Sequence, residues 1–159
     1  MDQTHIHLII THLPIVGSAF GAIVLTFGLW TKSFHTKISA YLLLIISSIG
    51  AILSYLTGEA AEETVENIGG ISKTLIEQHE EFALIAFVAL VILGTMSLIG
   101  LILTLKKSSF VRIAALITLL ISIISFGVIA WTGYLGGQIR HTEIKTSALI
   151  ENLPLVLCS

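Results

Sequence analysis

Four long runs without a charged residue constrain this chain more than any other feature. They cover residues 8–31, 38–58, 82–105 and 113–139, and only His12 interrupts the first run. Each run reaches the ~20 residues that a helix needs to cross the hydrocarbon core of a bilayer. Because backbone polar groups in lipid must pair internally, the spans should be α-helices. The sequence therefore predicts an all-α, four-helix transmembrane bundle with antiparallel, up-and-down topology, folded as a single domain.

The composition excludes several classes of protein. Hydrophobic residues make up 55% of the 159 residues and charged residues only 11%, with a net charge of −2. Soluble domains carry about 25% charged residues, so an ordinary cytosolic globule and a disordered chain are excluded. The chain has no basic patch for nucleic acid. The expected partner is the lipid bilayer, and the sequence leaves open whether the chain forms a homo-oligomer.

The charges divide unequally between the two ends of the predicted bundle. The short connections at 32–37 and 106–112 hold five of the eight Lys and Arg residues and no acid. The N-terminus, the 59–81 loop and the C-terminal tail hold all ten acids, and we call this side the acidic end. Short loops rich in Lys and Arg remain in the cytoplasm. We therefore expect the acidic end, with both termini, on the periplasmic side of a bacterial inner membrane. The first run lacks a preceding basic region and should remain in the mature protein.

Histidine and glutamate residues gather at the acidic end. Antiparallel helices bring the starts of spans one and three and the ends of spans two and four to the acidic end, which we also call the mouth of the bundle. Ionisable groups at membrane depth are costly and usually functional. The only cysteine, Cys158, offers no thiolate cluster, so a metal would need nitrogen and oxygen ligands. We expect a metal site with these ligands: His7, His12, His79 and His141 as nitrogen donors, and Glu59, Glu62 or Glu63, and Glu80 as oxygen donors. The alternative is a ring of polar side chains that lies at the membrane boundary and binds no ligand.

The position of His7 relative to His12 depends on Pro14. On an ideal helix the two histidines differ by about 140° and do not share a face. Proline either kinks a helix or occupies its first turn. If the helix begins near Pro14, His7 lies on the segment that precedes the helix, from which its side chain could reach over the mouth of the bundle. Alternatively, the two histidines serve two different metal ions.

Four glutamates follow the spacing of one helical face, namely Glu59, Glu62, Glu63 and Glu66. Like charges at this spacing destabilise a helix, and a bound cation would relieve the repulsion. The alternative is a solvated acidic helix in which salt screening keeps the cost small. The pair Gly69-Gly70 then breaks the chain, and Ser72 can cap the third helix.

Small and aromatic residues suggest how the helices pack. Glycines in the first and third spans predict close helix approach, at Gly17, Gly21, Gly28, Gly94 and Gly100. The pair Gly136-Gly137 permits either close backbone approach or a terminating turn. Trp131 and Tyr134 are typical of an interfacial aromatic belt.

The ligand chemistry leaves several functions open. Imidazole suits Fe, Cu and Zn, whereas carboxylates suit Mn and bridge two iron ions. The surplus of ligands over one tetrahedral ion favours a dinuclear site, as in soluble di-iron bundles, although their Glu-x-x-His signature is absent. The alternative cofactor is haem b, with His12 and either His79 or His141 as axial ligands, although the acidic mouth disfavours haem propionates.

The sequence does not decide whether the chain is an enzyme. If it is one, redox chemistry on a small molecule or a quinone is the first hypothesis, and zinc-dependent hydrolysis with a glutamate base is the second. A non-enzymatic metal or pH sensor would use the same residues. Transport is disfavoured because no charged residue lies in the middle of a span.

Several motifs at the mouth resemble a known family. The segments are His7-x4-His12-Leu-Pro, Thr57-Gly-Glu-Ala-Ala-Glu, His79-Glu and Gly136-Gly-Gln-Ile-Arg-His141. They are similar to bacterial four-span membrane proteins of the DUF2231 type, which open with His-Pro-x3-His-Phe-Pro-Ile and carry Gly-Gly and His after the last span. This chain has Leu8 and Leu13 where that pattern has proline and phenylalanine. The resemblance implies four spans and a site at the mouth, and it implies no particular activity.

Overall fold

Four helices make up the described part of the chain. The computed structural model describes the backbone of residues 3–66 and 73–140, and their side chains apart from residues 3–6, 8, 59–66, 139 and 140. The helices are α1 (Gln3–Trp30), α2 (Phe34–Glu66), α3 (Lys73–Leu105) and α4 (Val111–Arg140). No strand occurs within these residues. The prediction of an all-α, four-helix bundle is confirmed.

The helices form a closed ring in chain order. Each helix packs against its neighbours in sequence, and α4 closes the ring against α1, whereas the diagonal pairs barely touch. The connections 31–33 and 106–110 are too short to cross the bundle, so successive helices run antiparallel. The start of α1, the end of α2, the start of α3 and the end of α4 therefore lie at the acidic end.

The outer surface of the bundle is apolar. Large hydrophobic side chains such as Phe20 (57% exposed), Ile23 (63%) and Leu120 (61%) face outward along the helices. All four helices are long and apolar enough to cross a membrane, over Ile9–Trp30, Phe34–Gly58, Lys73–Leu105 and Val111–Gln138. Helices that are hydrophobic on all sides need lipid or protein around them. The chain is therefore a multi-pass membrane protein.

Small residues let the helices approach closely inside the bundle. A Cβ atom at Gly17 on α1 would lie 2.9 Å from Cβ of Ser47 on α2, and one at Gly94 on α3 would overlap the side chain of Ser48. The close packing predicted at these glycines is confirmed. Buried hydroxyls mostly donate to carbonyls of their own helix, as Thr118 does to the Ala114 carbonyl at 2.8 Å.

Helix α1 continues through Pro14, so the predicted alternative of a helix that begins near this residue is wrong. The Pro14 carbonyl accepts hydrogen bonds from the hydroxyl of Ser18 at 2.7 Å and from that of Ser47 on α2 at 2.9 Å. The hydrogen bond from Ser47 joins α1 to α2 at this level. Because α1 is continuous, His7 lies about 140° around the helix axis from His12.

Three helices extend past the apolar runs at the acidic end. Helix α2 includes the acidic stretch 59–66 and α3 begins at Lys73, so much of the 59–81 segment is helical. The glutamates of this stretch therefore occupy helical positions, as their spacing predicts, whereas Ser72 lies outside the described residues. Helix α4 runs through Gly136-Gly137 to Arg140, which rules out a terminating turn at the glycine pair.

Candidate metal site at the acidic end

His7 is a half-buried residue of α1 that contacts the end of α2. Its Nδ1 atom lies 3.1 Å from Oγ1 of Thr57. The Thr57 hydroxyl has a single hydrogen, and it points toward the carbonyls of Leu53 at 3.0 Å and Ser54 at 3.1 Å. With that hydrogen on either carbonyl, the threonine oxygen accepts and the ring donates from Nδ1. In the neutral imidazole this leaves the lone pair on Nε2.

His79 has the same arrangement on the opposite side of the bundle. Its Nδ1 atom lies 3.1 Å from the carbonyl oxygen of Thr132 on α4. A carbonyl only accepts, so Nδ1 again donates and neutral His79 also carries its lone pair on Nε2. The hydroxyl of Thr132 lies within hydrogen-bond distance of two carbonyls, Val128 of its own helix at 3.0 Å and Phe82 of α3 at 3.1 Å. The hydrogen bond from Nδ1 therefore fixes the His79 ring against α4, at a point where α3 and α4 are in close contact.

Each ring lies beside a glycine of a neighbouring helix, but only the His79 ring needs the space that the glycine leaves. A Cβ atom at Gly136 would lie 3.1 Å from Cε1 of His79, which is closer than ordinary van der Waals contact. A Cβ atom at Gly58 would lie 3.5 Å from Cε1 of His7, which is an ordinary contact. Gly136 is therefore the position at which a side chain would displace an imidazole. Of the two possibilities at the glycine pair, close approach is the one found here.

The electrostatics of the site favour a neutral His7. Burial lowers the pKa of His7 below its ordinary value of 6.5, and the nearby His79 lowers this pKa further by charge repulsion. The backbone carbonyl of Ser54, which stabilises the protonated ring, offsets part of this lowering of the pKa. The two imidazoles are thus close enough to interact, although α1 and α3 face each other diagonally. A neutral imidazole at pH 7 is the form that binds metal ions.

The other predicted ligands are placed differently. His12 and Glu80 are both exposed on their helices. The side chains of Glu59, Glu62 and Glu63, and the whole of His141, lie outside the described residues. Among the side chains that are described, no group of three or more His, Cys, Asp or Glu residues is arranged to hold a metal ion. The described part of the site therefore consists of the pair His7 and His79.

Two threonines that orient these histidines were not singled out as site residues from the sequence. Thr57 lies at the end of the apolar run of α2, next to Gly58, so its position at the acidic end could be predicted from the sequence. The role of Thr132 could not be predicted in this way. Its backbone carbonyl binds His79, and any residue at this position could supply a backbone carbonyl.

Aromatic side chains of α3 and α4 lie at this level of the bundle. Trp131 is 50% exposed and Tyr134 57%, with ring centroids 5.5 Å apart, and Trp131 also contacts Phe82 at 6.3 Å. Exposed Trp and Tyr side chains are typical of the boundary between lipid and water. His79 bonds to the residue next to Trp131, so the histidine pair lies near the depth of this boundary.

The fold and the histidine pair together define a class: a four-helix, multi-pass membrane protein with two oriented imidazoles at one mouth. No protein-family model matches the chain, and neither a curated protein nor a solved structure matches it. The resemblance to the DUF2231 type stays a prediction.

Proposed function

We propose that this chain binds a transition metal ion at its acidic end through Nε2 of His7 and Nε2 of His79. The observation that carries the proposal is that both rings use Nδ1 for a hydrogen bond to a neighbouring helix, which leaves Nε2 of each available. Histidines that bind metals usually donate their other ring N–H to a carbonyl, a carboxylate or another fixed acceptor. His7 donates to a threonine hydroxyl and His79 to a backbone carbonyl, each on a different helix.

The remaining ligands are proposed from the acidic extension of α2. Thr57 and Gly58 face His7, and Glu62 follows Gly58 by four residues, about one helical turn. Glu59 and Glu63 lie further around the axis from that face. Glu62 is therefore the preferred carboxylate ligand, and Glu59, Glu63 and His141 would complete a dinuclear site. Two imidazoles with carboxylates suit Fe, Zn, Mn or Cu.

The proposed location is the periplasmic side of a bacterial inner membrane. The support is the concentration of Lys and Arg in the two short connections at the opposite end. A coordination position that remains open to solvent would allow redox chemistry on a small molecule or a quinone. A metal-sensing protein would instead have all positions filled by the protein.

Haem b is the second candidate because its axial ligands need the same geometry. Two imidazoles that offer Nε2 from diagonally opposed helices can also bind the two faces of a haem iron. The acidic residues of this end argue against it, because haem propionates are anionic.

The test is elemental analysis combined with an optical spectrum of the detergent-purified protein. About one or two equivalents of a first-row transition metal, with no Soret band, are expected. A matched comparison is His79→Ala, expected to lose metal, against His35→Ala at the other end, expected to keep it. A Soret band would show that the protein binds haem and would favour the cytochrome over the metal site. A protein without metal or haem would contradict both proposals.

A further inference from the structure

Two hydroxyl groups in the bundle interior lack a hydrogen-bond partner among the described protein atoms. They are the phenol of Tyr41 on α2 and the hydroxyl of Ser97 on α3, and both residues are fully buried. Other buried hydroxyls avoid this situation, as Ser122 does by donating to the Leu119 carbonyl at 2.8 Å. A buried hydroxyl without a partner costs free energy, and native structures usually satisfy such groups with ordered water.

The two groups belong to one small region between α2 and α3. Ser97, Gly100 and Thr104 occupy the buried face of α3. A Cβ atom at Gly100 would lie 2.5 Å from Cε1 of Tyr41 and 2.8 Å from its hydroxyl, so the phenol enters the bundle only because this residue is glycine. Ser97 lies one helical turn from that glycine.

Thr104 supplies a third polar group. Its side chain is 2% exposed, and its hydroxyl donates to the Gly100 carbonyl at 2.8 Å, which leaves the threonine oxygen able to accept. The Tyr41 hydroxyl lies beside Thr104 but does not reach hydrogen-bond geometry with it. A phenylalanine at position 41 would fill the same space without burying an unsatisfied hydroxyl. The presence of tyrosine therefore calls for a hydrogen-bonding occupant.

We propose that the hydroxyls of Tyr41 and Ser97 share an internal water-binding site between α2 and α3, in the half of the bundle away from the histidines. A buried water typically makes about three hydrogen bonds, and these two unpartnered hydroxyls supply two of them. The water would accept from one hydroxyl and donate to the other, which would join the two helices. This site is independent of any metal bound at the acidic end.

The test measures whether substitutions raise or lower the Tm of the full chain in detergent. Tyr41→Phe and Ser97→Ala should each lower the Tm, by about 2–4 °C. The double variant should lose less than the sum because both hydroxyls bind the same water. Controls are Tyr55→Phe, which alters an exposed tyrosine, and Ser122→Ala, which alters a hydroxyl bonded within its own helix; neither should show this coupling to Tyr41.

A rise in Tm for Tyr41→Phe would overturn the proposal, because it would show that the hydroxyl is buried without compensation. Strictly additive losses would also overturn it, since the two groups would then share no partner. A high-resolution experimental structure provides the second measurement. Ordered solvent within hydrogen-bond distance of Tyr41 and Ser97 is expected, and its absence would refute the site.

Discussion

The hydroxyl of Thr57 has a larger role than its position at the end of an apolar span suggests. It holds the ring of His7 through a hydrogen bond at Nδ1, which leaves Nε2 outside that bond. Side chains of this kind are not ligands themselves, yet they hold the ligand in the orientation and tautomer that a metal needs.

Replacing Thr57 by valine tests this role. Thr57→Val keeps the shape of the side chain and removes the acceptor, so metal affinity should fall about 10–100-fold. Thr95→Val is the matched control, because the Thr95 hydroxyl is exposed and bonds only to the Val91 carbonyl of its own helix. A metal titration of both variants measures the effect. Equal affinities would show that the Thr57 hydroxyl does not orient a metal ligand.

The lowered pKa of His7 makes stability depend on pH in a defined direction. The unfolded chain takes up a proton near pH 6.5, whereas folded His7 resists protonation to lower pH. The unfolded state therefore binds more protons between the two pKa values, and stability is lost as the pH falls through this window.

Thermal unfolding of metal-free protein between about pH 8 and pH 5 measures this dependence. The Tm should be steady above about pH 6.5 and fall below it. His7→Gln cannot titrate and should flatten part of the decline. An unchanged profile in this variant would mean that His7 does not contribute.

At the scale of elements, α4 positions the site as much as α1 and α3 do. Its backbone passes so near His79 that residue 136 must be small, whereas nothing lies within 4 Å of a Cβ atom at Gly137. Adjacent glycines in one helix thus have different roles. The sequence showed that this pair favours close approach or a turn, but only the packing of α3 on α4 distinguishes the two residues.

The variants Gly136→Ala and Gly137→Ala form a matched pair. Both gain the same helix propensity, about 1 kcal/mol in favour of alanine. Only Gly136→Ala places a methyl group 3.1 Å from the His79 ring, so only this variant should lose metal. Metal content per protein, measured on both, gives the comparison; equal loss or equal retention would contradict the proposed contact.

Helix boundaries show where sequence reasoning succeeded and failed. The four apolar runs located the helices because a membrane leaves few alternatives for the backbone. The sequence left open whether Pro14 lies inside a helix or in its first turn, and it did not show that the Pro14 carbonyl accepts a hydrogen bond from Ser47 in another helix. A contact between residues 33 positions apart leaves no local pattern.

For the whole molecule, the bundle places His7 and His79 close enough for their charges to repel, although their helices barely touch. The convergence of ionisable residues at one end followed from counting antiparallel spans. The selection among them did not, because burial depends on the angular position of each residue on its helix. His12 and Glu80 belong to the predicted ligand set but are exposed, whereas His7 and His79 are half-buried.

The orientation in the membrane is a prediction for the whole chain, and cysteine labelling tests it. With Cys158→Ser as background, Ser72→Cys should react with a membrane-impermeant reagent added outside intact cells. Ser109→Cys, in the connection that carries Lys106 and Lys107, should react only after the membrane is opened. The reverse pattern would place the acidic end in the cytoplasm.

The central claim is that one metal site requires both His7 and His79. The most direct test is metal binding measured by titration on the metal-depleted wild type, on His7→Ala, on His79→Ala and on His35→Ala. Saturable binding is expected in the wild type and in His35→Ala, and loss of that binding is expected in each of the two other variants. Binding of wild-type affinity and stoichiometry in either His7→Ala or His79→Ala would contradict the claim.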